Sequence, residues 1–291
     1  MAYTTIDDPE LFFQCKVYSG SSSDVTVTFD GTNDMQPDLV WLKKTSASGD
    51  PLLYDSVRGV NKRLQPSATD TEVDRSGNDD ELKAFNSDGW TLGTFNSNVT
   101  GSGATCISWN WKESATAGFD IVSYTGNGSN RTISHSLSAV PTFMIHKDRD
   151  NGSYQWGVYH HAIGNQKNLN LNTNTAANVD SGGVYYNSTT PTSSVFSLGT
   201  NIGYNKASDT YIAYLFAPIK GYSKFGSYVG NGNNDGPFIY TGFKPAFVII
   251  KNVDDTQVWI MYDIARKPFN QDAAVNSLYP SETSAEYTGA S

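Results

Sequence analysis

"PDLVWLKK" (37–44), "PTFMIHKD" (141–148) and "PAFVIIKN" (245–252) are three versions of one stretch. Each opens on Pro, passes through a small or acidic residue and four mostly apolar residues, and closes on Lys43, Lys147 or Lys251. Pro37, Pro141 and Pro245 are 104 residues apart each time. Self-similarity at a fixed period is the signature of a repeat architecture. A short apolar run bounded by turn residues reads as a central strand, and Pro is tolerated at a strand's first position, where no ladder donor is needed.

Other landmarks keep the period. "LLYDSVRG" (52–59), "WGVYHHAIG" (156–164) and "WIMYDIARK" (259–267) align through Tyr54, Tyr159 and Tyr262. "GWTLG" (89–93) answers "VFSLG" (195–199), and "CISWNWK" (106–112) answers "YIAYLFA" (211–217). Upstream of each Pro unit sit "YSGSSSD" at Tyr18, "YTGNGSN" at Tyr124 and "YVGNGNND" at Tyr228. The chain therefore divides into a first copy (1–115), a second (116–220) and an incomplete third (221–291). The third has no counterpart of "F-x-LG" or "YIAYLF", so the expectation is a truncated last copy or a shortened cap.

Within the second copy, "FDIVSY" (119–124), "RTISHSL" (131–137), "TFMIHKD" (142–148), "YQWGVYH" (154–160), "KNLNLN" (167–172), "GVYYNS" (183–188), "SVFSLG" (194–199) and "TYIAYLFAP" (210–218) read as short strands between turn signals. Only "DDELKAFNSDG" (79–89) suggests a helical turn. The composition agrees. Aromatics make up 13% of the chain and charged residues 17%, with abundant Gly, Ser, Thr and Asn, which suits pleated surfaces and turns. The expected fold is all-β: tandem antiparallel β-sandwich, jelly-roll-like repeats, each burying its own core.

A net charge of −9 argues against nucleic-acid binding, because an acidic surface repels phosphate backbones. The start "MAYTTIDDPELFF" lacks the basic region of a signal peptide, and no apolar run approaches the roughly 20 residues that span a bilayer, so a soluble protein without membrane insertion is expected. Cys15 and Cys106 match no zinc spacing and read as small hydrophobes.

The loop Gly126, Asn127, Gly128 and its counterpart Gly230, Asn231, Gly232 match no phosphate-binding motif and read as structural hairpin turns of the Asn-Gly type. The turns at 148–151 and 231–236 cluster oxygen ligands but do not complete a calcium-loop order, so solvated turns are favoured, with calcium as the alternative. His160 and His161 are adjacent and on a strand point to opposite faces, which argues against a shared metal. No carboxylate pair, nucleophile elbow or Cys–His pair is recognisable, so no catalytic residue and no cofactor are expected. Asp55 with Arg58 and Asp263 with Arg266 recur and read as structural ion pairs; the second copy has His160 and Ile163 there. Tyr185, Tyr186 and Trp156 are the candidates for stacking on sugar rings.

The stretches "SYTGNGSNRTISHSLSAVPTFMIHKDRD", "FSLG", "YIAYLFA" and "GYSKFGSYVGNGNNDGPFIYTGFKPAFVIIK", with the opening "MAYTTIDDPELFFQ", resemble a repeated domain in virion structural and tail-fibre-like proteins of marine tailed phages, cyanophages among them. The resemblance covers essentially the whole chain and is most specific over 221–251. Members typically complete the last copy, from which the stop at Ser291 departs. The resemblance implies a place on the phage particle and carries no catalytic motif. The expected role is a tail fibre or other surface appendage, with contact to host glycans, other virion proteins as partners and a homotrimer as the favoured oligomer. A capsid decoration or head-fibre protein is the alternative, and a jelly-roll polysaccharide-degrading enzyme is the rival of another class.

Overall fold

A computed structural model describes residues 4–94, 97–233, 235–266 and 276–289. The first copy holds β1 (Phe13–Ser19), β2 (Val25–Val27), β3 (Leu39–Lys44), β4 (Leu52–Asp55), β5 (Lys62–Arg63), β6 (Val73–Asp74), β7 (Leu82–Phe85), β8 (Trp90–Leu92), the single helical turn α1 (Ser97–Thr100) and β9 (Thr105–Trp111). The second holds β10 (Phe119–Thr125), β11 (Arg131–Ser134), β12 (Phe143–Asp148), β13 (Gly157–His160), β14 (Lys167–Asn170), β15 (Asn178–Val179), β16 (Val195–Leu198), α2 (Ile202–Asn205) and β17 (Thr210–Phe216). The third holds β18 (Phe247–Ile250) and β19 (Ile260–Asp263).

The topology repeats with the sequence. A larger antiparallel sheet runs β1-β9-β3-β4 in the first copy and β10-β17-β12-β13, continued by β14-β15, in the second. A smaller sheet packs on it: β2-β8-β7 in the first copy, β11-β16 in the second. In the third copy β18 and β19 pair in the register of β3 with β4. The fold is all-β, built from antiparallel sandwiches.

The apolar runs that open each repeat are buried on both faces because two cores meet at them. In β3, Val40 and Leu42 join Val25, Val27, Leu82, Trp90 and Leu92 in a core internal to the first copy. Leu39 and Trp41, pointing the other way, join Ile107 and Trp109 in a second core. The second copy repeats the division: Met144, Ala213 and Leu215 face its own sandwich, while Phe143, Ile145, Ile212 and Tyr214 face outward. The outward faces share one central core, with Trp259, Met261 and Leu278 of the third copy. Each copy was expected to bury its own core. The first two do so and also contribute to a common one, which period-two alternation explains: one strand serves both layers.

Three local readings are corrected. Residues 79–89 form no helical turn; Leu82–Phe85 is β7, paired with β8 through an irregularity at Leu82/Ala84. Residues 183–188 form a turn instead of a strand. The Asp180 carboxylate accepts from the amides of Gly182, Val184 and Tyr185, and Gly183, Asn187 and Ser188 have positive φ, so the backbone is satisfied locally and not in a ladder. The Gly126–Asn127–Gly128 loop is no hairpin: it carries the chain from β10 to β11, which belong to different sheets. It docks on 205–209, where Gly128 N–H donates to Asn205 O at 2.7 Å and Gly126 N–H to Asp209 O at 2.9 Å. Gly232 has the positive φ of Gly128 (+67° against +74°), but Gly230, Asn231 and Gly232 lie in an exposed stretch without strands.

Candidate functional site

The residues repeated three times converge on the seams between copies. Lys43 Nζ reaches Glu282 O of the third copy at 2.8 Å, Lys147 Nζ reaches Thr69 O of the first at 2.8 Å, and Lys251 Nζ reaches Asn174 O of the second at 3.3 Å. The main chain joins the same pairs of copies with the donors reversed. Glu72 N–H donates to Arg149 O, Ala177 N–H to Val253 O and Glu286 N–H to Thr45 O, at 2.8, 2.9 and 3.0 Å. First reaches third, second reaches first and third reaches second, so the copies form a closed ring. Burial lowers the Lys43 and Lys147 ammonium groups to about 8. Backbone carbonyls accept hydrogen bonds from these ammonium groups, which is how a buried ammonium is tolerated.

The Asp–Arg pairs belong to the same seams. Asp55 and Arg58 form a fully buried ion pair, and Arg58 also binds Glu72 at 3.1 Å. Asp263 pairs with Arg266 at 2.7 Å, and Arg266 with Glu286 at 2.9 Å. Each Asp then receives an aromatic donor from the neighbouring copy: Tyr214 Oη donates to Asp55 Oδ2 at 2.7 Å, and Trp109 Nε1 to Asp263 Oδ2 at 3.1 Å. Burial and the Asp55 charge raise the Tyr214 hydroxyl well above its ordinary value, so it stays a donor. Fully hydrogen-bonded, these groups hold architecture and present no reactive atom.

The strongest chemical grouping lies where the first copy joins the second. Glu113 is raised to about 7, first by burial and then by its hydrogen bond and charge contact with Asp120. Asp120 lines an open cleft of about 340 Å³ with Ser123, Ser134, His135 and Ser136. Asp120 is nonetheless buried, and its Oδ2 accepts the Ser136 amide at 2.6 Å. Asp38 beside them accepts from the Glu113 amide and the Ser56 hydroxyl. These carboxylates cap backbone at a copy junction; no pair of them faces a groove as glycoside cleavage needs.

Of the aromatics expected to meet sugars, Trp156 and Tyr186 are buried, at 0% and 1% exposure. The Trp156 indole donates to Gln65 O and Ala68 O of the first copy, and Tyr186 packs on Tyr159 and Tyr204, so neither offers a free ring face. Tyr185 is half-buried. Aromatic composition alone cannot separate seam and core rings from exposed ones. Cys15 and Cys106 are free thiols. In the 148–151 turn, Asp148 accepts the amides of Asp150 and Asn151, and Asp150 binds Thr210. In the 231–236 turn, Asn231 accepts the Asn233 amide; Asn234 lies outside the described residues. Among the described residues no three His, Cys, Asp or Glu side chains converge as a metal site would need, and no helix is long and apolar enough to cross a membrane.

The surface left for interaction is in the third copy. Among the described residues β18 pairs with β19 alone and is half-buried along its length, whereas β3 and β12 are bonded on both edges and almost wholly buried. In the same copy Tyr228, Val229, Phe238, Ile239 and Tyr240 are exposed.

These features define a ring of β-sandwich repeats whose repeated polar residues serve the seams. The chain belongs to the family described as Domain of unknown function (DUF7483), whose model matches residues 8–291. Comparison with curated proteins and with solved structures gives no match.

Proposed function

We propose that the protein is a structural component of a bacteriophage virion, a tail fibre or other surface appendage, with other virion proteins as its partners. The observation that carries this reading is the destination of the repeated polar residues. Lys43, Lys147 and Lys251 each bond a carbonyl of another copy, and the carboxylates of Asp55 and Asp263, held by Arg58 and Arg266, each take a donor from another copy, as an assembly unit built from its repeats requires. The sequence resemblance to repeated virion domains supports the same assignment. Host-glycan contact is left out, since two of its three residues are buried.

The test is to purify phage particles that encode the chain, identify it among their proteins and locate it by antibody labelling and cryo-electron microscopy. Density on the tail or its appendages is the expected result. Density on the head would replace the fibre by a decoration protein, and absence from purified particles would overturn the reading. Light scattering on the free chain tests the homotrimer.

A further inference from the structure

We propose that Asn151 is a self-modification site: the folded protein converts it, through a cyclic imide formed with Gly152, to isoaspartate and aspartate, at the seam between the second and first copies.

The chemistry favours an asparagine followed by glycine, because a residue without a side chain leaves its nitrogen open to react. The chain has three such pairs, Asn127–Gly128, Asn151–Gly152 and Asn231–Gly232. Base removes the proton of the glycine N–H, and that nitrogen bonds to the asparagine Cγ. Nδ2 leaves as ammonia and the imide ring closes. Water then opens the ring at either carbonyl, giving aspartate or isoaspartate. The net reaction consumes water and releases ammonia, and nothing is oxidised or reduced. In a folded chain the rate depends on whether the glycine nitrogen and Cγ are free to meet.

All three asparagines make the same local turn. Oδ1 accepts the amide two residues on, at 2.9 Å from Ser129, 2.9 Å from Ser153 and 3.1 Å from Asn233. They differ in what holds the reacting groups. Gly128 N–H donates to Asn205 O at 2.7 Å, Asn127 N–H to Asn205 Oδ1 at 3.0 Å, and Asn205 Nδ2 to Ser129 O at 2.7 Å. Local opening must therefore precede reaction at Asn127. At Asn231 the departing nitrogen is tied, Nδ2 donating to Asp235 O at 2.8 Å. Among the described residues neither Gly152 N–H nor Asn151 Nδ2 has a partner. Exposure ranks the first two sites the other way, since Asn127 is exposed and Asn151 half-buried. The bonds at the nitrogen, and not access to solvent, single out Asn151.

Its turn, which joins β12 to β13, is clasped to the first copy. Lys147 Nζ bonds Thr69 O there and Tyr154 O across the turn, and Glu72 N–H donates to Arg149 O. A side-chain carbon on Gly152 would stand 3.7 Å from Thr71 N and 3.8 Å from Asp70 Cα. Isoaspartate adds an atom to the main chain between Arg149 O and Tyr154 O, the points at which the turn meets this clasp. Conversion thereby loosens the hold of 147–149 on 69–72.

The test incubates the protein at mildly alkaline pH, folded and in guanidinium chloride, and follows aspartate and isoaspartate at 127 and 151 by peptide mass spectrometry. The ratio of folded to denatured rate at each site cancels the effect of flanking sequence. A hydrogen bond is worth roughly fivefold, and several hold Asn127–Gly128, so folding should slow Asn127 at least about tenfold more than Asn151. Hydrogen exchange at Glu72 N–H should quicken in the converted fraction. It should stay slow in Asn151→Gln incubated alike, whose longer side chain closes its ring far more slowly. Equal slowing at the two sites, or greater slowing at 151, would overturn the assignment of Asn151. A Glu72 amide unchanged in protein converted at 151, or one that quickens as much in Asn151→Gln, would overturn its role at the seam.

Discussion

His146 stands where the first copy has Leu42, on the face of β12 that looks into its own sandwich. Its ring lies 5.4 to 5.9 Å from those of Tyr186, Phe196 and Tyr204, and neither nitrogen finds a hydrogen-bond partner among the described residues. Burial alone lowers its pKa from 6.5 to about 3. The folded value lies below the unfolded one, so the stability of the neutral form is present above pH 6.5 and is lost as pH falls toward the folded value. The loss is about 1.4 kcal/mol per pH unit, or roughly 3 kcal/mol between pH 6.5 and 4.5. His146→Leu installs the residue that the first copy already accommodates. At pH 7 it removes an unsatisfied buried polar group and should stabilise the protein by about 1–2 kcal/mol. At pH 4.5 the variant's advantage should grow by that further ~3 kcal/mol. Urea unfolding of both proteins, followed by tryptophan fluorescence at the two pH values, measures both quantities. An advantage that is the same at pH 4.5 and 7 would show that His146 is not held neutral, and the argument from burial would fail. Destabilisation at pH 7 would show instead that the imidazole has partners or packing that Leu cannot replace.

Asp55→Asn removes the charge that holds Arg58 and accepts from Tyr214; unfolding free energy should fall by about 3–5 kcal/mol, the cost of stranding one member of a buried pair. A loss under 1 kcal/mol in urea titration would mean that the seam does not depend on this carboxylate. Glu113 is raised to about 7, so its contribution is present below the unfolded carboxylate range and lost as pH rises through 7; Glu113→Gln should raise the melting temperature at pH 8 and change it little at pH 5, and equal shifts at both would refute the assignment. Gly126→Ala places a Cβ 2.1 Å from Lys206 O and should cost more than about 2 kcal/mol, while Gly230→Ala, with nothing within 4 Å, should stay within about 0.5 kcal/mol. Equal effects in calorimetry would mean that the two loops share one environment after all.

The β class, the repeat and the structural role of the Asp–Arg pairs were legible because they depend on period and composition. What escaped depends on which surfaces meet. "LVWL" and "AFVII" announce burial on both faces, but nothing in one strand says whether the second face meets its own copy or the neighbours. "GVYYNS" has strand composition, and the carboxylate of Asp180, upstream of it, folds it into a turn. "YTGNGS" has hairpin chemistry, and its close approach to the backbone at Lys206 makes it a passage between sheets. Trp156 reads like a sugar platform until the carbonyls of Gln65 and Ala68, about 90 positions away in the chain, are seen to hold its indole.

The ring also bears on a repeated position where the copies disagree in charge. Asp55, His160 and Asp263 are equivalent, yet only the first and last are acidic. Their environments differ in what the neighbouring copy delivers. Asp55 receives Tyr214 from β17 and Asp263 receives Trp109 from β9, each beside an arginine three residues on. In the second copy the Asp–Arg pair is replaced by His160 and Ile163, with burial lowering the imidazole to about 4 and holding it neutral. A buried carboxylate needs every lone pair engaged. An aspartate at position 160 would lack the arginine three residues on, where Ile163 stands, so the neutral residue is the one this seam can bear. An Asp–Arg pair that looks catalytic when one repeat is read alone is therefore a property of the interface between two.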